Sequence, residues 1–351
     1  MKRYGYLYPK VYDMENIKVA HASARMGKSH YREVKQVDVN PERYFKRIHY
    51  MLKNKTFHNS RYKVFNHLDG GKMREIYKLP YFPDRIIHHC IMQVVEPIWI
   101  NTLISNTFAC IKQRGIHKGV KKIKEALRDE EGTKYCLKCD VKKFYPSVNH
   151  DTLKTIIRRK IKDPNLLWLL DEIIDSAPGI PIGNYLSQHF GNLYLSGIDH
   201  KMKETAKCKY YFRYCDDIVI LHHSKKHLHD IKNRLIRWLG DLKLKLKENW
   251  QVFPVDARSI DFLGYRFFHG YTLLRKNTAT KFRRKMRKIK LHHEKMEPIS
   301  IISTVMSYYG WLIHANCLNL TRHGIDYDIR HIVRKICLQN KIRNPLSSAT
   351  I

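Results

Sequence analysis

The apolar positions of this chain recur with two different periods, and the switches between them mark out its elements. From Glu42 to Leu52 the spacing is helical. Asp69-Gly70-Gly71 then reads as a turn, followed by a short extended run, Arg74-Glu75-Ile76-Tyr77-Lys78-Leu79-Pro80, that places Arg74, Ile76 and Lys78 on one face. Helical spacing returns from Asp84 to Trp99, with Ile87, Ile91, Val94 and Val95 on the buried side. A strand ending in Asp140 comes next, then helical stretches around Asp151 to Asp175 and a loop at Pro178-Gly179-Ile180-Pro181-Ile182-Gly183. A helix from about Asn184 to Thr205 leads to two β-prone segments, Tyr210-Tyr211-Phe212 and Ile218-Val219-Ile220-Leu221. This order of strand, helix and hairpin predicts an α+β protein whose small antiparallel sheet is covered on one face by helices.

Beyond Gly270 the pattern turns strongly basic. Lys281, Arg283, Arg284, Lys285, Arg287, Lys288 and Lys290 surround an apolar stripe of Phe282, Met286 and Ile289, whose spacings of four and three share one helical face. Such a helix either exposes a solvated charged face or touches a phosphate backbone, and the shortage of acidic residues nearby favours the second. Composition points the same way. Lysine and arginine number 66 against 32 acidic residues, and the formal charge of +34 is spread along the chain, so a long polyanion is the natural partner. Charge alone does not separate this from a ribosomal or membrane-surface protein. With 351 residues, 43% of them hydrophobic, the chain can bury a sizeable core, which argues against disorder.

The amino-terminal residues lack the apolar core of a signal peptide, and no stretch is long enough to span a bilayer. A soluble cytoplasmic protein without a membrane partner is expected. Of eight cysteines, Cys136 and Cys139 have zinc-like spacing, but they lie in one strand-like segment with no second such pair nearby. Structural thiols are the favoured reading over a metal site. There is no solenoid-length repeat and no low-complexity linker to divide the chain.

The candidate chemistry lies in Tyr214-Cys215-Asp216-Asp217, between the two β-prone segments, and in Asp140, at the end of another. Adjacent aspartates there would ordinarily form a surface turn. Held in a cleft, they concentrate negative charge that only cations would stabilise. Nucleotidyl transfer needs two divalent ions about 3.5 to 4 Å apart, and hard oxygen ligands from two strands suit magnesium.

These two segments resemble motifs C and A of palm-type polymerases, and the Tyr-Xaa-Asp-Asp form resembles that of reverse transcriptases. The resemblance implies a right-hand fold: fingers over 1–130 (with part of the palm near 84–100), palm over 131–268 with a fingers insertion near 151–180, and a helical thumb over 269–351. It implies that Asp140, Asp216 and Asp217 are catalytic and hold two Mg2+ ions with help from the Val141 carbonyl, and that Tyr145 is a steric gate against a nucleotide 2′-hydroxyl. Lys72-Met73-Arg74-Glu75-Ile76, with Pro80 and Asp84-Arg85-Ile86, resembles the fingers motifs, in which Lys72 and Arg74 would meet the incoming triphosphate. An exposed arginine on an edge strand is the competing view. Phe262-Leu263-Gly264-Tyr265 resembles the primer grip, where glycine permits close backbone approach, and Ser307-Tyr308-Tyr309-Gly310-Trp311-Leu312 resembles a thumb-helix motif. Lys281, Arg283, Arg284, Arg287 and Lys288 would contact the primer–template duplex.

Most reverse transcriptases carry Gln-Gly-Xaa-Xaa-Xaa-Ser-Pro before the catalytic hairpin. This chain has Ile182-Gly183-Asn184-Tyr185-Leu186-Ser187-Gln188, a variant that resembles the enzymes of diversity-generating retroelements and puts Ile182 and Gln188 beside the nucleotide. Asn249-Trp250-Gln251-Val252-Phe253-Pro254-Val255 and Ile260-Asp261-Phe262-Leu263-Gly264-Tyr265 extend that likeness. One departure is that the lysine common before the primer grip falls near Asn249; Lys247 or Lys245 could substitute, and no general acid is assigned. The family implies copying of a template-repeat RNA into adenine-mutagenised cDNA, with dNTPs as substrates and an accessory variability determinant oligomer as partner. The end of the chain soon after the thumb is expected to leave no room for maturase, endonuclease or ribonuclease H domains. Rival readings are a retron or antiphage-defence reverse transcriptase and a non-catalytic RNA-binding scaffold.

Overall fold

The computed structural model describes residues 2–69 and 71–346, so Gly70 of the expected turn lies outside the described residues. Four helices open the chain: α1 (Tyr8–Val11), α2 (Met14–Arg25), α3 (Arg32–Val39) and α4 (Pro41–Lys53). A hairpin of β1 (Lys63–Asp69) and β2 (Lys72–Lys78) follows, and then α5 (Ile86–Ile100), α6 (Ile116–Ala126) and β3 (Tyr135–Asp140). The middle of the chain runs through α7 (Phe144–Ser147), α8 (His150–Arg158), α9 (Pro164–Ile174) and α10 (Ser187–His200) to β4 (Tyr210–Tyr214), β5 (Asp217–His222) and α11 (Lys225–Asp241). Four short strands, β6 (Gln251–Pro254), β7 (Ile260–Phe262), β8 (Tyr265–Phe267) and β9 (Thr272–Leu274), precede α12 (Lys276–His292), α13 (Pro298–Leu312), α14 (Leu318–Gly324) and α15 (Tyr327–Gln339).

The expected α+β class is what is observed. The strands form an antiparallel pair β1-β2, a four-stranded sheet in the order β4-β5-β3-β6, and an antiparallel three-stranded sheet β7-β8-β9. Contacts divide the chain into two compact units, Met1–Gln113 with Cys139–Ile218 and Asp230–Trp250, and Arg114–Lys138 with Val219–His229 and Gln251–Ile351. No helix among the described residues is long and apolar enough to cross a membrane.

Local chemistry explains several helix starts. Asn40 caps α4 by accepting from the Arg43 amide, Pro41 presets the first turn, and Phe45, Ile48 and Leu52 bury the face that periodicity predicted. The helical stretches expected around Asp151 to Asp175 are α8 and α9, divided where Asp163 caps a new start and Pro164 cannot continue the old helix. Two further expectations are corrected. The helix expected from Asp84 begins at Ile86 after a kink over Tyr81–Arg85 in which Phe82 is extended, and its Val94 is only half-buried. The helix expected from Asn184 begins at Ser187, because the Asn184 carboxamide folds back to accept from the Leu186 amide; beyond His200 it loosens into a π-turn over Lys201–Thr205. Cys136 and Cys139 are both buried, and three residues apart on one strand they point to opposite faces.

One polar network lies inside the first unit. Arg213 on β4 and Asp199 on α10 are both fully buried and form a two-pronged pair: Nε donates to Oδ1 at 2.7 Å and Nη2 to Oδ2 at 2.6 Å. The Tyr211 hydroxyl donates to Asp199 at 2.6 Å and the Thr107 hydroxyl at 3.1 Å, so the carboxylate is saturated. Arg213→Met is expected to cost about 3 to 5 kcal/mol, because it strands a buried carboxylate. The double variant Asp199→Leu with Arg213→Met should recover part of that loss. Urea unfolding midpoints of the three proteins check this, and equal midpoints for parent and Arg213→Met would contradict it.

Candidate active site

Asp140 ends β3 because the chain there stops pairing with β6 and meets a different segment. The Lys247 amide donates to the Asp140 carbonyl at 2.8 Å and the Lys142 amide to Lys245 at 2.8 Å. Val141 therefore sits in the non-hydrogen-bonded position opposite Leu246 and turns its own carbonyl the other way. The Lys247 ammonium lies 3.7 Å from Asp140 Oδ2. Of the two lysines offered from the sequence, it is the one whose side chain reaches the carboxylate.

The turn between β4 and β5 carries the second carboxylate. Cys215 takes a φ of +54°, a left-handed conformation that costs a non-glycine residue, and its carbonyl accepts from Arg213 Nη1 at 2.8 Å. The buried arginine thus fixes the peptide that presents Asp216. Half-buried Asp216 lies beside Asp140, and its carboxyl is pushed up to about 7, first by desolvation and then by the Asp140 carboxylate, with Arg74 opposing. Two carboxyls sharing a proton are a natural place for a divalent cation, which would replace that proton. No group of three histidine, cysteine or acidic side chains converges among the described residues, so Asp217 does not complete a three-carboxylate cluster. The donor set fits divalent ions that also draw oxygens from a bound triphosphate.

A cleft of about 520 Å³ opens over this turn. Arg74, Arg85, Tyr145, Ile182 and Gln188 line it together with Tyr214, Cys215, Asp216 and Asp217. Arg74 comes from β2 and pairs with Asp69 at 3.1 Å, while Lys72, beside the hairpin tip, is exposed and lies outside the lining. The Tyr145 hydroxyl reaches toward Cys215 Sγ at 3.9 Å, and burial pushes its pKa up, so it stays neutral. Ile182 is half-buried on the cleft wall. Its carbonyl accepts from the Tyr77 amide at 2.7 Å, and Gly183 follows at φ +112°, where a Cβ would come within 2.6 Å of the Tyr77 carbonyl oxygen. Gln188 accepts from the Cys110 thiol.

The remaining expected site residues lie in the second unit. Phe262 and Tyr265 are buried, and Leu263 and Gly264, at φ +53° and +83°, form the two-residue turn between β7 and β8. A Cβ on Gly264 would meet the Trp311 ring at 2.5 Å, so in this structure the glycine makes room for Trp311. Tyr265 stacks on that ring and donates to the Trp311 carbonyl at 3.0 Å, which ties the expected primer grip to the expected thumb motif. On α12, Phe282, Met286 and Ile289 are buried, and Lys281, Arg283, Arg284, Lys285, Arg287 and Lys288 are exposed. Lys290 differs, since it is engaged by Asp326 and Asp328. Sequence reasoning missed Asp199 and Arg213; the signal was present as an acid among Leu195, Ile198 and Met202 and a base beside Tyr211 and Phe212, each in an otherwise apolar stretch.

The chain is similar to several known proteins. Retron Ec73 reverse transcriptase of Escherichia coli is 27% identical over 241 residues, 63% of this chain and 71% of that protein. Protein YkfC of E. coli K12 is 23% identical over 250 residues, 58% of this chain and 65% of its own length. The group II intron-encoded protein LtrA of Lactococcus lactis subsp. cremoris is 26% identical over 142 residues, 37% of this chain and only 23% of LtrA. Among solved structures, apo telomerase from Candida tropicalis superposes with a TM-score of 0.53 at 13% identity, over 81% of this chain and 59% of that one. The telomerase from Candida albicans, solved with a fragment of telomeric RNA, gives 0.50 at 11% identity, over 81% and 65%. These likenesses establish a polymerase-type fold. The family model described as "Reverse transcriptase (RNA-dependent DNA polymerase)" matches residues 65–267, more than half the chain, and the chain belongs to that family.

Proposed function

We propose that this chain is an RNA-directed DNA polymerase using two Mg2+ ions, and that it serves a diversity-generating retroelement. The observation that carries the polymerase reading is the proximity of Asp140 to Asp216, which lines a cleft together with Arg74 and Tyr145. Divalent ions there would activate the primer 3′-hydroxyl and stabilise the leaving pyrophosphate. The chain's own groups do the positioning. Arg74 meets phosphate charge, Tyr145 limits space at the sugar, the Asp140 and Asp216 carboxylates and the Val141 carbonyl supply oxygens, and Asp217 lies beside them on the cleft wall. Phe262 to Tyr265 would support the primer end, and Lys281, Arg283, Arg284, Arg287 and Lys288 the duplex backbone. On this reading residues 1–130, 131–268 and 269–351 act as fingers, palm and thumb.

The finer assignment rests on Ile182 and Gln188, both on the cleft wall. An isoleucine has neither donor nor acceptor, so it judges a base pair by shape alone, and apolar discrimination is typically worth only about 1 to 3 kcal/mol. That is consistent with error-prone copying of a template-repeat RNA, aided by an accessory variability determinant oligomer. A second reading, a retron reverse transcriptase, is favoured by the match to the Ec73 enzyme. Adenine-biased repeats in the flanking DNA would separate the two.

Asp216→Asn should abolish Mg2+-dependent primer extension on an RNA template while RNA affinity stays near the parent's. Extension at a near-parent rate would end the polymerase reading. The same variant tests the electrostatics without catalysis. The folded carboxyl holds its proton up to about pH 7, whereas the unfolded one releases it near 4, so metal-free stability should fall as pH rises through that window. In chelator at pH 8, Asp216→Asn should melt roughly 2 to 6 °C above the parent, and below pH 4 the two should coincide. Ile182→Gln should lower misincorporation opposite template adenine with substantial activity on other bases, read by sequencing cDNA made at equal dNTP concentrations. An unchanged adenine error rate in a folded, active variant would remove Ile182 from that role.

A further inference from the structure

Between α5 and α6 the chain passes beside β4, and bonds from backbone and side chains hold it there. The Arg213 amide donates to the Asn106 carbonyl at 3.1 Å, and the Phe108 amide donates to the Arg213 carbonyl at 3.1 Å. The Asn106 carboxamide donates to the Tyr211 carbonyl at 3.0 Å, and that of Asn192, on α10, to the Ala109 carbonyl at 2.7 Å. Thr107, Phe108 and Ala109 are all buried. Cys110 comes next and is placed by these neighbours. It is half-buried, lines the cleft over the β4–β5 turn, and takes a left-handed φ of +52°. Such backbone costs a residue that carries a Cβ, and strain of this kind gathers at functional sites.

No sequence motif singles Cys110 out. Its thiol donates to Oε1 of Gln188, in the first turn of α10. Burial pushes the thiol's pKa up, so it keeps the proton that it donates. A carboxamide has one acceptor end and one donor end. With the acceptor end of Gln188 taken by the thiol, its Nε2 hydrogens are left over, and among the described residues nothing accepts them. Gln188 is exposed on the cleft wall, in the lining that also carries Ile182 and Tyr145.

We propose that Cys110 is a positioning residue for nucleotide binding, which fixes the Gln188 carboxamide with its donor end toward the base of the nucleotide in the cleft. This role rests on the polymerase reading and adds a polar contact beside Ile182, which offers shape alone. Every base carries an acceptor on its minor-groove edge, N3 of a purine or O2 of a pyrimidine, so one donor serves all four alike. Cys110 touches no part of the nucleotide and acts through Gln188. Without the thiol the carboxamide is free to turn, and its donor end meets the base only part of the time.

The half-saturating dNTP concentration reads that contact in two assays on the full chain. One is the extension of a DNA primer by a single nucleotide on an RNA template. The other is binding of the next dNTP to the same template with a primer ending in a dideoxynucleotide, where no bond can form. Cys110→Ala should raise the half-saturating concentration about fivefold for each of the four dNTPs in both assays, with the rate at saturation kept. Cys110→Ser, which retains a donor, should return it to the parent's value, and Cys110→Ala should add nothing in a Gln188→Leu background. Cys110→Gly lacks the thiol and suits a left-handed φ, so it replaces Cys110→Ala if that variant melts below the assay temperature. A half-saturating concentration that does not move, an effect that persists without Gln188, or a serine variant no better than alanine overturns the role of Cys110. So does a parent that binds no dNTP. Binding that depends on Cys110 and Gln188 in a parent that makes no DNA supports the positioning role and defeats the polymerase reading alone.

Discussion

The turn that carries Asp216 depends on a charge pair that never meets water. Desolvating an arginine and an aspartate costs several kcal/mol for each ion, and their attraction offsets this only when the remaining donors and acceptors are matched. Around Asp199 and Arg213 they are. Tyr211 and Thr107 complete the carboxylate, and the guanidinium has one prong left for the Cys215 carbonyl. That last bond holds a strained left-handed residue in place, and with it the height at which Asp216 enters the cleft. Asp140 is fixed separately, by the bond from the Lys247 amide to its own carbonyl and by that of the Lys142 amide to Lys245. Two carboxylates that repel each other are thus held close by scaffolds that do not depend on a bound cation.

How much of this the sequence disclosed follows from the range of each interaction. Periodicity located α4 and α12 with their buried faces, because a helix stripe is a local property of the chain. Local caps were also legible in principle. Asp163-Pro164 announces the start of the second of the helical stretches between 151 and 175. The cleft residues were found through motif resemblance, and their convergence could not have been read from spacing, since Arg74, Tyr145, Ile182 and Asp216 meet across long separations in the chain. The Asp199–Arg213 pair was hidden for the same reason. Each residue alone looks like a charge at an element's edge, and only the fold makes them partners.

Glycines show the same limit from another side. Gly264 was expected to let a backbone approach a primer end, and its left-handed φ fits a tight turn. The crowding over it, however, comes from the Trp311 ring, a residue 47 positions away. A glycine in a sequence says that something comes close or that the chain turns sharply, and leaves open which neighbour is responsible.

The bond from the Tyr77 amide to the Ile182 carbonyl, with Gly183 pressed against the Tyr77 carbonyl, makes the hairpin strand and the cleft loop one mechanical body. Arg74 rides on that strand and Ile182 on that loop. A backbone shift at 182–183 therefore moves the strand that carries Arg74, so a change at one wall of the cleft is passed to another. Only a side-chain exchange that leaves the peptide at 182–183 in place changes the lining at Ile182 without moving Arg74.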